Sequence, residues 1–145
     1  MQTSEKPRTI DLAEFAEAID SAPFEYAVCS VATADSAGAP DISLKGSVMV
    51  FDRDRIAFWE RAHGQTIENL RHNPKIAILY RNRERKISGL RFYGVAEVLP
   101  SGELREQVRA RTIPAELEKD PENKGIAVVI RIDRVSDMRT TLQQR

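Results

Sequence analysis

Three short stretches of the chain contain residue types that can hold an anion. The first is Lys45-Gly46-Ser47, in the middle of a segment that otherwise alternates apolar and polar residues. Glycine inside a strand marks a bulge or a close approach by a ligand, and Lys45 adds a compact positive charge. We therefore take residues 45–47 as a candidate anion contact, although a solvent-facing lysine beside a bend fits the same pattern.

The other two stretches lie next to each other. Gly64-Gln65-Thr66 opens a short helix, where free N–H groups, the helix dipole and a hydroxyl suit an anion; simple capping is the alternative. Trp59-Glu60-Arg61 ends the preceding strand and pairs an aromatic ring with a cation, although Trp59 also suits a core or an interface. Together the three stretches are predicted to converge on one phosphate.

Other catalytic or metal-binding groups are scarce. Cys29, the single cysteine, lies in the apolar stretch YAVCSVA, which favours a buried small side chain. His63 and His72 are nine residues apart, which is not the spacing of a helical metal pair, so no metal site is predicted. The carboxylates of residues 116–122 are predicted to form a solvated face. No nucleophile elbow, Walker loop or dinucleotide fingerprint is present.

Composition narrows the class of protein. Lys plus Arg and Asp plus Glu each number 22 in 145 residues, so net charge gives no reason to expect a nucleic-acid or membrane partner. No apolar run approaches the roughly 20 residues of a membrane-spanning helix, and the N-terminus has no signal-peptide core. A cytoplasmic protein with one core is expected.

Hydrophobic patterns predict the elements that must position these residues. A helix is predicted within 9–23, since Leu12, Phe15, Ala16 and Ile19 share one face, and Ser101 is the predicted N-cap of a later helix. Six strands are predicted, one of them continuous from Asp41 to Phe51. Most connections are too short for parallel crossovers. We therefore predict a mainly β fold, a closed or nearly closed antiparallel barrel with peripheral helices.

The order of motifs resembles a known family. The chain carries G-x-P-x-x-S-x-K-G-S, then G-x-T-x-x-N-L-x-x-N-P-x-x-A, then G-x-A-E-V, over about residues 10–135. This is similar to the pyridoxamine 5'-phosphate oxidase-like family of FMN-binding split barrels. The matching residues are Gly38, Pro40, Ser43, Lys45, Gly46 and Ser47, then Gly64, Thr66, Asn69, Leu70, Asn73, Pro74 and Ala77, then Gly94, Ala96, Glu97 and Val98.

The resemblance implies a six-stranded antiparallel split β-barrel, one domain over residues 1–145 with 1–9 and 140–145 flexible. It implies a homodimer with FMN in grooves at the subunit interface. Lys45 is then the expected phosphate cation, with Gln65 and Thr66 as neutral donors, and the partner subunit contributes residues before the GVAEV motif. The implied cofactor-binding residues are Lys45, Gly46, Ser47, Trp59, Glu60, Arg61, Gly64, Gln65, Thr66, Asn69, Ser88, Gly89 and Leu90.

Two departures from the family pattern limit what the resemblance implies. Many members have Arg-Lys where this chain has Gln65-Thr66, so Lys45 and Arg61 must supply the charge. The chain also has no counterpart of the basic C-terminal segment that holds the substrate in true pyridoxamine 5'-phosphate oxidases, so that reaction is not assigned.

The resulting hypothesis is an FMN-dependent oxidoreductase acting on an unidentified small molecule. The alternatives are a split barrel that uses a deazaflavin or haem, and a non-enzymatic FMN-binding module.

Overall fold

A computed structural model describes residues 6–145. A 3-10 turn at Leu12–Phe15 leads into α1 (Ala16–Ser21), and α2 is Gln65–His72, α3 Glu103–Arg111 and α4 Pro114–Leu117. The strands are β1 (Cys29–Ala34), β2 (Pro40–Lys45), β3 (Met49–Val50), β4 (Arg55–Glu60), β5 (Lys75–Arg81), β6 (Gly89–Leu99), β7 (Ile126–Ser136) and β8 (Thr141–Gln144). None of these helices is long and apolar enough to cross a bilayer.

All eight strands belong to one antiparallel sheet, which confirms the mainly β prediction. Its order is β2-β1-β5-β6-β7-β4-β3, with β8 paired to the end of β7. The six predicted strands become eight for two local reasons. The strand predicted from Asp41 to Phe51 breaks at Gly46-Ser47 into β2 and β3, and the C-terminal tail forms β8.

The chain itself forces this sheet to curl. In a flat sheet β2 and β3 would stand six strand spacings apart, roughly 29 Å at about 4.8 Å each. The link from Lys45 to Met49 spans at most about 14 Å. The two ends of the sheet must therefore meet, which gives the split-barrel architecture.

Hydrogen bonds fix the place where the two ends of the sheet meet. We call this place the seam: it lies between the bend after β2, at Gly46-Ser47, and the end of β4. Ser47 is 4% exposed, and its hydroxyl donates to the Trp59 carbonyl at 3.0 Å and accepts from the Trp59 N–H at 2.9 Å. One side chain thus bonds β4 just beyond its ladder with β3. The Ser47 side chain therefore holds the bend after β2 against β4.

Two apolar cores lie on opposite faces of the sheet. The larger fills the barrel interior and includes Phe15, Phe58 and Phe92, with Phe15 and Phe92 in edge-to-face contact at 5.9 Å. The smaller core lies outside β3, β4 and β7 under α3 and α4, and it is built around Trp59 and Val108. The helices therefore cover one side of the barrel.

The two ends of the described chain are hydrogen-bonded to each other. Arg8 bonds Leu142 and Gln144 through its backbone, at 3.0 and 2.8 Å. The side chain of Gln143 is 1% exposed and holds both backbone groups of Asp11 at 2.9 Å. The tail thus contacts the start of the first helical turn through a buried amide, and the flexibility expected of the two ends stays a prediction. Residues 1–5 of the predicted flexible segment lie outside the described residues.

Two smaller expectations also change. The N-cap of α3 is Gly102, at φ 104°, and not Ser101. The predicted first helix begins as a 3-10 turn, with Asp11 accepting from the Ala13 N–H at 3.2 Å.

The seam gives a direct stability test. Ser47→Ala removes the partner of both Trp59 backbone groups in a buried position. We expect the free energy of unfolding to fall by about 2 kcal/mol, measured by urea denaturation. Ser36→Ala, in the exposed β1–β2 turn, is the control and should have no effect. Equal stability of the two variants would mean that water or a shifted backbone replaces the hydroxyl.

Candidate functional site

The predicted site residues meet where β2, β4 and the start of α2 come together. Along β2 the burial alternates, so Ser43 and Lys45 are half-buried while Ile42 and Leu44 are exposed. This alternation follows from the two-residue period of a strand. Ser43 and Lys45 therefore lie two residues apart on the same face of β2. Each of them contacts a different element of the fold.

Lys45 is paired with Glu60. The Lys45 ammonium contacts Glu60 Oε2, and the two side chains are only 13% and 7% exposed. The other carboxylate oxygen of Glu60 accepts from the Ala62 N–H at 3.2 Å. Removing one partner of a buried ion pair costs about 3–5 kcal/mol, because the other charge is left without compensation. Lys45, the expected phosphate cation, therefore already has a partner, Glu60, that is costly to remove. The contact of Lys45 with a ligand stays a prediction.

The start of α2 has no side-chain cap. Helix α2 follows Gly64 directly, and Gln65 turns its amide to Asn69 Oδ1 at 2.7 Å. The Thr66 hydroxyl lies 3.3 Å from the Ser43 hydroxyl on β2. The first N–H groups of an uncapped helix remain open to water or a ligand. An anion here would meet backbone donors and two hydroxyls, none of them charged.

Asn69 fixes this helix to the barrel. It is 2% exposed, and its amide donates to the Thr33 hydroxyl on β1 at 3.0 Å. Ile67 and Leu70 anchor the same face of α2 in the barrel core. Asn69 therefore positions the helix start, and its side chain is already occupied within the fold.

Trp59 and Ser47 differ from the expected arrangement. The indole is 2% exposed inside the smaller core, stacked under the Arg105 guanidinium at 4.7 Å. Both backbone groups of Trp59 are bonded to Ser47. The Ser47 hydroxyl and the Trp59 backbone groups are therefore already used within the fold. The Trp59 side chain lies in a core, which was one of the alternatives considered for it.

Asp120 is a buried residue where a solvated one was expected. Burial alone would raise the pKa of its carboxyl, but three donors outweigh that effect and hold the pKa below its usual value. These donors are the Lys124 and Gly125 N–H groups, both at 2.9 Å, and the Trp59 indole N–H at 3.0 Å. Sequence spacing gave no sign of this contact, since Trp59 and Asp120 are 61 residues apart.

Glu116 is the second carboxylate that the sequence reading missed. Its Oε2 accepts from Arg61 Nε at 2.8 Å, with side-chain exposures of 12% for Glu116 and 40% for Arg61. Its Oε1 lies so close to Gly46 that a Cβ there would stand 2.5 Å from it. The close approach expected at Gly46 is therefore made by a carboxylate of the same chain.

The residues expected from a partner subunit lie elsewhere in the protomer. Leu90 is fully buried, and Ser88 Oγ accepts from Arg81 at 3.0 Å. Strand β6 is three strand spacings from β2, about 14 Å along the sheet. Ser88, Gly89 and Leu90 therefore do not join Lys45 within one chain, and their role at an interface stays a prediction.

Cys29 and the histidines make ordinary structural contacts. Cys29 is 1% exposed, and burial raises the pKa of its thiol to about 12, which confirms the prediction of a buried side chain. His63 Nε2 lies 2.8 Å from the Lys124 carbonyl, and His72 Nδ1 lies 3.0 Å from the Glu68 carbonyl. Between residues 6 and 145 no three His, Cys, Asp or Glu side chains cluster as a metal site would require.

The geometry defines a split barrel with an uncapped helix start at its seam. A family model described as pyridoxamine 5'-phosphate oxidase matches residues 14–139. The chain belongs to the pyridoxamine 5'-phosphate oxidase family.

Solved structures share the fold over most of the chain. HupZ from Group A Streptococcus is 26% identical, with a TM-score of 0.69, over 89% of this chain and 98% of that one. A Lactobacillus delbrueckii protein described as a candidate pyridoxamine 5'-phosphate oxidase is 24% identical (TM-score 0.68; coverage 92% and 99%). An FMN-binding protein from Syntrophomonas wolfei is 19% identical (TM-score 0.69; coverage 88% of each chain). No curated protein matches.

The contribution of the Lys45–Glu60 pair to the free energy of unfolding can be tested without a ligand. Lys45→Met should lower the free energy of unfolding by about 3 kcal/mol, because Glu60 is left buried and uncompensated. The double variant Lys45→Met, Glu60→Leu should recover most of that loss. Urea denaturation of ligand-free protein measures both, with Lys119→Met, which is exposed, as the control. A stable Lys45→Met variant would show that Lys45 is free to serve a ligand.

Proposed function

We propose that this protein binds FMN non-covalently at the barrel seam and acts, as a homodimer, as an oxidoreductase on a small molecule. The observation that carries the proposal is the uncapped start of α2 beside the Ser43–Thr66 hydroxyl pair. It occurs in a chain whose residues 14–139 match the family model. Helix N-termini of this kind favour phosphate groups.

The chain's own residues fit the phosphate end of the cofactor through uncharged donors. The N–H groups at the start of α2 would hold the phosphate together with the Thr66 and Ser43 hydroxyls. Asn69 and the apolar face of α2 keep these donors in place. Bound flavin would supply the electron-transfer chemistry, and the protein would supply its orientation.

Relatives with this fold are named for different cofactors. The Syntrophomonas wolfei protein is named as FMN-binding. Two other solved structures of the same fold, each 19% identical, are named F420 reductase (TM-score 0.59) and heme binding protein from Mycobacterium smegmatis (TM-score 0.64). Identity at this level supports the fold alone, so a deazaflavin and haem are tested beside FMN.

Haem has less support than a flavin among the described side chains. The ring nitrogens His63 Nε2 and His72 Nδ1 each lie within hydrogen-bond distance of a backbone carbonyl near the surface. Both histidines are exposed, and an exposed ring gives a haem iron little shielding from water. The donors at α2 suit a phosphate better than they suit an iron centre.

We propose that a second copy of the chain packs against the outward face of β1, β2 and β5. Register places Leu44 and Leu79 on either side of Ser30, and Ile42 and Ala77 on either side of Ala32. Ile42 and Leu44 are 69% and 70% exposed. A flat apolar row on an edge strand and its neighbours is a typical interaction surface. Ser88 of the partner subunit would complete the flavin site, because Gly89 and Leu90 are buried within their own chain.

The flavin proposal predicts a selective effect at Thr66. Thr66→Val keeps the volume of the buried side chain and removes its hydroxyl. We expect the dissociation constant for FMN to rise about tenfold, as for a lost charge-assisted hydrogen bond. The constant for riboflavin, which has no phosphate, should not change. Quenching of flavin fluorescence measures both ligands, and Thr9→Val, which is exposed, is the control.

The same titration separates the alternatives. Failure of the wild-type protein to take up FMN would contradict the flavin proposal. Uptake of haem or of a deazaflavin, seen in the visible spectrum, would then identify the other class of cofactor. FMN uptake that Thr66→Val leaves unchanged would place the phosphate away from α2.

The dimer proposal predicts that one charge on the apolar face separates the subunits. Leu44→Asp would bury a carboxylate at the interface, and we expect the protein to elute as a monomer in size-exclusion chromatography with light scattering. Ala110→Asp places the same charge on the exposed side of α3 and should leave the dimer intact. A wild-type monomer, or a dimeric Leu44→Asp variant, would refute this interface.

A further inference from the structure

Arg61 and the bend after β2 share one neighbour, the carboxylate of Glu116. One oxygen accepts from Arg61 Nε at 2.8 Å, and the other lies against the Gly46 backbone. A negatively charged group of the chain thus occupies the place beside Lys45-Gly46 where the sequence suggests an external anion. The geometry resembles a bound carboxylate more than a solvated surface residue, since the Glu116 side chain is 12% exposed.

The segment that carries Glu116 is anchored by residues that follow it. Helix α4 begins after Ile113, and Leu117 packs against the smaller core. Three residues further on, the buried Asp120 binds the Trp59 indole and the Gly125 N–H. These anchors hold the backbone of α4 at the seam, so the Glu116 side chain is the part that can move without disturbing the core.

Arg61 is the cation that a ligand can recruit at this seam. The Lys45–Glu60 pair is buried on both sides, whereas Arg61 is 40% exposed in its pair with Glu116. A pair with one solvent-exposed partner costs less to break than a pair buried on both sides, and here Arg61 is the exposed partner while Glu116 is 12% exposed. A doubly charged phosphate can therefore replace the Glu116 carboxylate on Arg61, while the contact between Lys45 and Glu60 remains.

We propose that Glu116 is an internal competitor for anions at Arg61. Its carboxylate holds Arg61 in the ligand-free protein and is displaced when a phosphate group binds. Glu116 thereby lowers the affinity of the seam for phosphate-bearing ligands and determines how strongly the site distinguishes a phosphorylated ligand from its unphosphorylated form. The identity of that ligand as FMN rests on the proposed function, but the competition itself does not.

The test uses inorganic phosphate and no flavin, so it stands apart from the FMN proposal. Thermal unfolding midpoints are measured against phosphate concentration, with sodium chloride at matched ionic strength as the reference. Glu116→Gln should bind phosphate at least about threefold more tightly than the wild type. Glu118→Gln removes the same charge from an exposed position in the same segment and should behave as the wild type.

A second pair of variants locates the effect on Arg61. The double variant Arg61→Gln, Glu116→Gln should lose the gain, because the competing carboxylate matters only while Arg61 is present. Glu116→Ala should reproduce the gain if the glutamine variant folds poorly. Equal phosphate responses of Glu116→Gln and Glu118→Gln would overturn the proposal, and so would a gain that persists without Arg61.

Discussion

The short link between β2 and β3 is the constraint on which the rest of the structure depends. It joins strands at opposite ends of the sheet order, so the sheet must close on itself. Closure brings the bend after β2 against β4, where Ser47 binds both backbone groups of Trp59. The same closure brings Lys45 to Glu60 and Ser43 to the start of α2. Barrel and candidate site are therefore consequences of one chain connection.

Charge at the seam is balanced within the chain. Lys45 is paired with Glu60 and Arg61 with Glu116, so the two expected cations meet two carboxylates. The two pairs differ in exposure, because Arg61 is 40% exposed whereas both side chains of the Lys45–Glu60 pair are 13% exposed or less, so the Arg61–Glu116 pair costs less to break. In the proposed site, a phosphate would rely first on the neutral donors of α2, Ser43 and Thr66. Such recognition would differ from recognition by an Arg-Lys pair.

Much of the fold follows from local pattern. Alternation along β2 and β5, and apolar spacing in α2, predicted their positions because side-chain direction depends on local backbone geometry. Ser43 could have been found in the same way, since it lies two residues from Lys45 on an alternating strand. The strand predicted across Gly46 was divided, because curling of the whole sheet interrupts the strand there. The tail also became β8 through its pairing with β7, and Gln143 there contacts Asp11.

The sequence by itself determined the family, the antiparallel barrel and the location of the short helix α2, because these depend on motifs and short-range periodicity. Tertiary structure alone decided which charges are paired. Arg61 and Glu116 are 55 residues apart, and Trp59 and Asp120 are 61 apart. Contacts at such separations depend on how the sheet closes and on where α4 packs. Spacing along the chain carries no information about either contact.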